Sequence, residues 1–131
     1  MKNLAIMGFT AFIMMSLSFK KEPAFQQSSS LYGKWKLSET FDDPGNGNEK
    51  WNKVVHTLNQ YTQFHKHGQM DGNYFKDARY KVKDSITLAI KLADKTIQEY
   101  RFKIHDQTLI MSPSKPILCH EGCSMKYIKM E

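Results

Sequence analysis

Apolar and polar residues alternate along several short stretches of the chain. In segment 85–92, SITLAIKL, every second residue is apolar: Ile86, Leu88, Ile90 and Leu92. Segment 98–104, QEYRFKI, repeats the pattern at Tyr100, Phe102 and Ile104, and segment 31–38, LYGKWKLS, repeats it at Leu31, Gly33, Trp35 and Leu37. A period of two is typical of β-strands that bury one face. We therefore predict an all-β fold.

Short turn-forming segments separate these stretches. HKHGQ at 65–69, the residues around Asp84, ADK at 93–95 and HDQ at 105–107 interrupt the alternation. They lie about ten residues apart, as in an antiparallel meander, and no long helical stripe follows residue 18. A sheet protects its exposed edges best by closing on itself. The sequence predicts a small antiparallel up-and-down β-barrel of about eight strands.

The predicted barrel interior is rich in large apolar side chains: Trp35, Leu37, Leu58, Phe64, Tyr80, Ile86, Leu88, Ile90, Tyr100, Phe102, Ile104, Leu109 and Tyr127. An eight-stranded barrel is wide enough either to be filled by its own side chains or to hold one small ligand. Two hypotheses follow: a small apolar cavity near an open mouth, or a packed core whose outer surface or loops bind a partner. The first hypothesis predicts this ligand-binding set: Trp51, Phe64, Tyr80, Leu88, Tyr100 and Phe102.

Residues 1–18 have the pattern of a secretory signal peptide. A lysine precedes the apolar run 4–17, and Ser16 and Ser18 supply the small residues before a cleavage site. The run is shorter than the roughly 20 helical residues that span a bilayer. Phe19 stands where a lipoprotein leader needs its cysteine. We therefore expect export without a lipid anchor.

The remaining chain divides into a linker and one domain. Residues 19–30, FKKEPAFQQSSS, are polar and low in complexity, which predicts a flexible linker. Residues 31–131 are enough for one modest core. We expect a soluble monomer in the periplasm or outside the cell, with no transmembrane helix after processing. The formal charge of +6 is scattered among the strands, which is typical of solubility and not of nucleic-acid binding.

The two cysteines, Cys119 and Cys123, lie close together in PILCHEGCSMKYIKM. In an exported protein a disulfide is the default for two nearby thiols, and it would hold the start of the last strand. Redox chemistry is the weaker alternative because the spacing is C-x-x-x-C and not C-x-x-C. Zinc is the other alternative, with His120 and one histidine of the HKH segment as further ligands, but a second cysteine pair is lacking.

The loop DDPGNGNEKW at 42–51 is a second candidate region. Its carboxylates and amides are oxygen ligands that calcium accepts, but the spacing of a calcium-binding loop is absent, and the same residue types are typical of turns. Trp51, next to this loop, would form a rim over the barrel mouth or belong to the core. No G-x-S-x-G or H-E-x-x-H motif occurs. We predict a protein that is not an enzyme and that uses no metal or cofactor.

Three segments together resemble a known family. The G-x-W motif at Gly33 and Trp35, the DDPGNG loop and the terminal CHEGCSMKYIK segment are similar to those of short exported lipocalin-like proteins of bacteria. The resemblance covers residues 31–131. It implies that Trp35 plugs one end of the barrel and that Lys126 or Lys129 packs over its ring by a cation–π contact. It also implies a binding protein for a small hydrophobic ligand. The alternative is a cell-envelope interaction or structural module with a filled core and no small-molecule ligand.

Overall fold

The computed structural model describes residues 30–43, 45–55, 59–118 and 123–131. These residues form nine β-strands: β1 (Gly33–Asp42), β2 (Lys50–Lys53), β3 (Tyr61–Phe64), β4 (Gln69–Gly72), β5 (Ala78–Val82), β6 (Thr87–Lys91), β7 (Ile97–His105), β8 (Thr108–Lys115) and β9 (Met125–Lys129). From β3 to β9 each strand pairs antiparallel with the next, and β9 returns to pair with β1. The result is a closed eight-stranded barrel with β2 as one extra strand. The predicted antiparallel barrel is confirmed.

Closure of the barrel depends on β1, which contacts three other strands. Its residues 33–36 pair with β3, and residues 39–42 pair with β2 on the same side. On the opposite side, residues 35–40 pair with β9. Both edges of β1 are therefore hydrogen-bonded, and the first strand of the domain joins the last.

A β-bulge interrupts β1 where it meets β9. Leu37 lies opposite Tyr127, but Glu39 lies opposite Lys126, the next residue along β9. Neighbouring residues of a strand point to opposite faces of the sheet, and one extra residue in one strand shifts that alternation. Because Tyr127 is buried in the barrel, Lys126 and Glu39 point to the outer face. Before the bulge, the odd-numbered residues Trp35 and Leu37 point into the barrel. Beyond it, the odd-numbered residues of β1, beginning with Glu39, point to the outer face.

Aspartates shape the turns that the sequence predicts along β5 to β8. The Oδ1 atom of Asp84 accepts a hydrogen bond from the Ile86 backbone amide at 2.9 Å, and Asp94 accepts one from Thr96 at 2.9 Å. Asp106, between β7 and β8, has a φ of 51°. Aspartate bonds readily to the backbone two residues on and tolerates positive φ. These turn predictions are confirmed.

Buried apolar side chains fill the barrel: Leu31, Trp35, Leu37, Phe64, Met70, Phe75, Ala78, Tyr80, Leu88, Ile90, Phe102, Leu109, Met111 and Tyr127. Most of the interior positions predicted from alternation are among them, but the prediction for Ile86 is wrong. This side chain is 56% exposed because it belongs to the turn before β6. The sequence did not reveal Met70, which lies in a strand of 4 residues, or Phe75, which lies between strands. The predicted interior residue Leu58 lies outside the described residues.

Trp35 fills one end of the barrel. Its side chain is fully buried, and its Nε1 donates a hydrogen bond to the Leu31 carbonyl at 2.8 Å. Lys129 Nζ lies 5.1 Å from the centre of the Trp35 ring, so Lys129, and not Lys126, covers this tryptophan. Gly33 has a φ of 117°, which favours glycine, and a Cβ atom there would lie in ordinary contact with the Lys129 side chain at 3.4 Å.

The predicted signal peptide at 1–18 lies outside the described residues, as does the predicted linker at 19–30 except for Ser30. In the part of the chain that the structure does describe, no helix has the length and apolar character needed to cross a membrane.

Among the described glycines, Gly72 has the least space for a Cβ atom. Gly72 has a φ of 146°, and a Cβ there would lie 2.3 Å from the Tyr61 carbonyl oxygen. We expect Gly72→Ala to lower the free energy of unfolding by about 3 kcal/mol, because a disfavoured φ is combined with steric overlap against backbone. Urea unfolding followed by circular dichroism measures the loss.

Gly47→Ala is the matched control. Gly47 has a φ of 79°, but no atom lies within 4 Å of the position that a Cβ would occupy, so only the backbone penalty of about 1 kcal/mol applies. Equal losses in the two variants would show that the contact with Tyr61 is not what requires glycine at position 72.

Candidate ligand-binding site at the barrel mouth

Four of the predicted ligand-binding residues form part of the packed core. Phe64 and Leu88 are 1% and 0% exposed, and Phe102 and Tyr80 are 5% and 8% exposed. The rings of Phe64 and Tyr80 pack edge to face with centroids 5.0 Å apart, and the Tyr80 hydroxyl donates a hydrogen bond to the His65 carbonyl at 2.6 Å. These side chains occupy the interior themselves. The structure therefore does not bring the six predicted residues together around one cavity.

An apolar groove opens at the end of the barrel opposite Trp35, which we call the mouth groove. Its volume is about 510 Å³, and its lining consists of Leu92, Asp94, Thr96, Ile97, Gln98, Tyr100, Pro113, Pro116 and Ile117. Ile97 at the start of β7 is 55% exposed, and Ile117 after β8 is 70% exposed. Their side chains leave apolar surface available to a ligand, whereas the barrel interior is closed by its own residues.

Gln98 holds the wall of the mouth groove in place. This side chain is only 8% exposed. Its Nε2 donates to the carbonyl of Ile117 at 3.2 Å and to that of Glu99 at 2.9 Å. Its Oε1 accepts from the Ile117 backbone amide at 3.4 Å. A buried amide that bonds to both backbone groups of one residue fixes the segment after β8 against the start of β7.

Tyr100 joins the mouth groove to the core. It is the one predicted ligand-binding residue that lines this groove, and it packs edge to face on Phe75 with ring centroids 5.9 Å apart. Burial raises the pKa of the Tyr100 hydroxyl, and the group is a neutral hydrogen-bond donor and acceptor at physiological pH, as tyrosine ordinarily is. The ring therefore offers a ligand an apolar face with a polar edge.

Trp51 lies on the outer face of the barrel and does not line the mouth groove. It pairs with Phe41 across β1 and β2, with ring centroids 5.3 Å apart. Lys126 Nζ lies 4.1 Å from the centre of the Trp51 ring and forms an ion pair with Glu39. Lys126 thus has two partners beside the bulge. Of the two lysines that the resemblance offered for Trp35, Lys129 lies over that ring, whereas the register places Lys126 on the outer face.

The loop at 42–51 uses its polar side chains for local hydrogen bonds. Asp43 accepts from the Gly45 amide at 2.8 Å, and Asn46 accepts from the Asn48 amide at 3.0 Å. Asp42 accepts from the Asn52 side chain at 2.7 Å. Bonds to the backbone two residues on are typical of turns. They agree with the turn interpretation of this loop.

Only one cysteine of the predicted pair belongs to the described residues. Cys123 is not a free thiol, whereas Cys119 and His120 lie outside the described residues. The disulfide therefore stays a prediction, as does its zinc alternative. Among the described residues no group of three or more histidine, cysteine, aspartate and glutamate side chains could hold a metal ion.

Sequence reasoning missed most of the mouth groove, including Ile97, Pro113, Pro116 and Ile117. A usable clue was the segment SPSKPIL at 112–118, where two prolines accompany apolar residues at the end of a strand. Proline lacks the amide that a strand ladder needs and is found at strand edges and bulges. Pro113 lies opposite Tyr100, beside a register shift between Glu99 and Tyr100.

In comparisons with known proteins, no family model matches this chain and no curated protein is significantly similar to it. The closed barrel does not by itself identify a lipocalin, because one fold serves many functions. The resemblance to lipocalin-like proteins therefore stays a prediction.

The buried tyrosines generate a prediction about alkaline stability. Burial raises the pKa of Tyr80 and of Tyr127 to about 12, above the value of about 10 in an unfolded chain. A pKa that folding raises contributes stability below the unfolded value, and this contribution is lost as the pH rises through the folded value. We expect the free energy of unfolding to fall between pH values of about 10 and about 12. Denaturant unfolding across this range measures the slope.

Tyr127→Phe removes one of these shifted ionisations and should make that fall shallower. The control is Tyr61→Phe, which changes a half-buried tyrosine of β3 that is not among the groups raising the pKa of Tyr80 or of Tyr127, and it should leave the slope unchanged. The same pH dependence in both variants would contradict the assignment of the alkaline loss to buried hydroxyls.

Proposed function

We propose that this protein binds a small apolar molecule in the mouth groove. One observation carries the proposal: an apolar groove of about 510 Å³ at the end of the barrel opposite Trp35. Ligand sites are typically concave, mostly apolar and about 300 to 1,000 Å³ in volume, with a few polar groups that orient the ligand. Here the polar groups of the lining are Asp94, Thr96, Gln98 and the Tyr100 hydroxyl.

The packed core supports a ligand at the mouth and not deep in the barrel. Interior binding would require Phe64, Leu88 and Phe102 to move from close-packed positions, and each displaced aliphatic or aromatic side chain would lose about 1.5 to 3 kcal/mol of burial. Ile97 and Ile117 are already exposed in the groove. Covering them with an apolar ligand removes that surface from water without any rearrangement of the core.

The second candidate function is an interaction module of the cell envelope. It is favoured by the exposure of three neighbouring apolar side chains at one end of the barrel: Ile97, Ile117 and Leu118, which are 55%, 70% and 58% exposed. Contiguous exposed apolar residues are typical of protein-binding surfaces as well as of ligand grooves. A partner protein would cover the same surface that the small molecule is proposed to cover.

We also propose membership of the lipocalin-like group, export through the leader at 1–18, and a disulfide between Cys119 and Cys123. Trp35 at one end of the barrel with Lys129 over its ring supports the first of these proposals. For the disulfide, the mass of the purified protein should lie two hydrogens below that of the reduced protein. A mass that does not change on reduction would contradict the bridge.

Binding can be tested with N-phenyl-1-naphthylamine, a neutral apolar fluorophore whose emission rises on transfer out of water. We expect the unaltered protein to bind this probe. The double variant Ile97→Ser with Ile117→Ser should bind it about tenfold more weakly, since two aliphatic contacts are replaced by small polar ones. Fluorescence titration measures both dissociation constants.

Ile86→Ser is the matched control. Ile86 is an isoleucine that is 56% exposed, as Ile97 is 55% exposed, but it lies in the turn before β6 and does not line the mouth groove. This variant should bind the probe as the unaltered protein does. If the unaltered protein does not bind the probe, or if the double variant and the control lose binding equally, the small-molecule proposal fails and the interaction module is favoured.

A further inference from the structure

A second groove lies on the outer face of the barrel and shares no lining residue with the mouth groove. Its volume is about 380 Å³, and it is lined by Lys36, Leu37, Ser38, Lys53, Val54, Val55 and Ile128. We call it the outer groove. It lies where the partner of β1 changes from β3 to β2, and two backbone hydrogen bonds of 2.9 Å frame it: Leu37 donates to Gln60, and Val54 donates to Ser38.

Two lysines place positive charge at the outer groove. Lys36 lies opposite the exposed Ile128 of β9, and Lys53 lies opposite Glu39 of β1. Among the described residues, neither ammonium group has an ion pair or a hydrogen bond. Glu39 forms an ion pair with Lys126. Among the residues that the structure describes, none of those lining the groove carries a carboxylate. The two charges are therefore available to an anionic ligand.

The neighbouring lysines strengthen this positive field but are already engaged. Lys34 Nζ lies 4.0 Å from the centre of the Tyr61 ring, and Lys126 lies between Trp51 and Glu39. Charges of one sign on one face raise the local concentration of ligands of the opposite sign. Lys36 and Lys53 are the members of this face that line the groove.

The rest of the outer groove is aliphatic. Val54 packs partly against the core, whereas Val55 is 64% exposed and Ile128 is 40% exposed. An inorganic anion would use the lysines but would leave these side chains in water. A neutral apolar molecule would cover the aliphatic surface but would leave both ammonium groups without a counter-charge and partly desolvated, which is unfavourable.

We propose that the outer groove binds a single-chain anionic amphiphile of the fatty-carboxylate class. The carboxylate lies between Lys36 and Lys53 and accepts charge-assisted hydrogen bonds from them. The alkyl chain runs along Val55 and Ile128 and removes their exposed surface from water. This ligand is held by a different set of residues from the neutral molecule of the mouth groove, and the two sites are independent.

Laurate, below its micellar concentration, is the probe for this site, and isothermal titration calorimetry measures its binding. The double variant Lys36→Gln with Lys53→Gln should bind laurate about tenfold more weakly, as expected for the loss of two partly exposed charge-assisted bonds. Raising the salt concentration should weaken laurate binding to the unaltered protein. Dodecanol, which has the same chain without the charge, should bind no more tightly to the unaltered protein than to the double variant.

Two control variants distinguish laurate binding in the outer groove from attraction by general surface charge and from binding in the mouth groove. Lys103→Gln removes an exposed lysine of β7 that lines neither groove and should leave laurate affinity unchanged. The double variant Ile97→Ser with Ile117→Ser should bind laurate as the unaltered protein does, even if it loses the neutral fluorophore. The outcomes for the two grooves are thus distinguishable.

Unchanged laurate affinity in the double lysine variant would overturn the proposal. So would an equal loss in Lys103→Gln, which would indicate nonspecific attraction by net charge. Binding to vesicles of an anionic phospholipid without binding to free laurate would also overturn it, because the surface would then recognise a membrane and not a single-chain ligand.

Discussion

The structure depends on the pairing of β1 along both of its edges. A strand with a free edge presents unpaired amide and carbonyl groups, and the return of β9 to β1 removes that edge from the first and last strands of the barrel. The same strand also pairs with β3 and β2 on its other side. A bulge between Leu37 and Glu39 interrupts the register of β1 with β9. It lets the first half of β1 face the core with Trp35 while the second half turns outward with Glu39.

A closed barrel of only eight strands leaves little space inside. Once the strands are paired, the inward side chains must either pack or enclose a cavity, and here Phe64, Leu88 and Phe102 pack. The aromatic contact from Phe75 to Tyr100 continues this packing up to the mouth. Among the described residues, apolar surface is left exposed at the end of the barrel, at Ile97 and Ile117. The filled core, which the sequence allowed as one of two hypotheses, thereby limits how deep a ligand can lie.

Alternation and turn chemistry were sufficient to predict the fold, because both act locally. Leu88 and Ile90 reveal the inner face of β6 by their spacing, and Asp84 and Asp94 mark turns through bonds to the backbone two residues on. The alternation of inward and outward residues fails as a predictor where pairing with a strand far away in sequence introduces a bulge. The outward position of Trp51 follows from its pairing with Phe41 beyond the bulge, and the bulge is defined only by the register against β9. The contact of Lys126 with Trp51 instead of Trp35 has the same origin.

Both grooves occur where regular strand pairing is interrupted, and this has a physical reason. In a continuous ladder, neighbouring side chains on one face stand side by side. The register shift between Glu99 and Tyr100 lies beside the mouth groove, and the bulge at Ser38 lies beside the outer groove. A shift separates neighbouring side chains and exposes backbone and aliphatic surface between them. In this small barrel with its packed core, both irregularities therefore coincide with places where the sheet forms a concave surface.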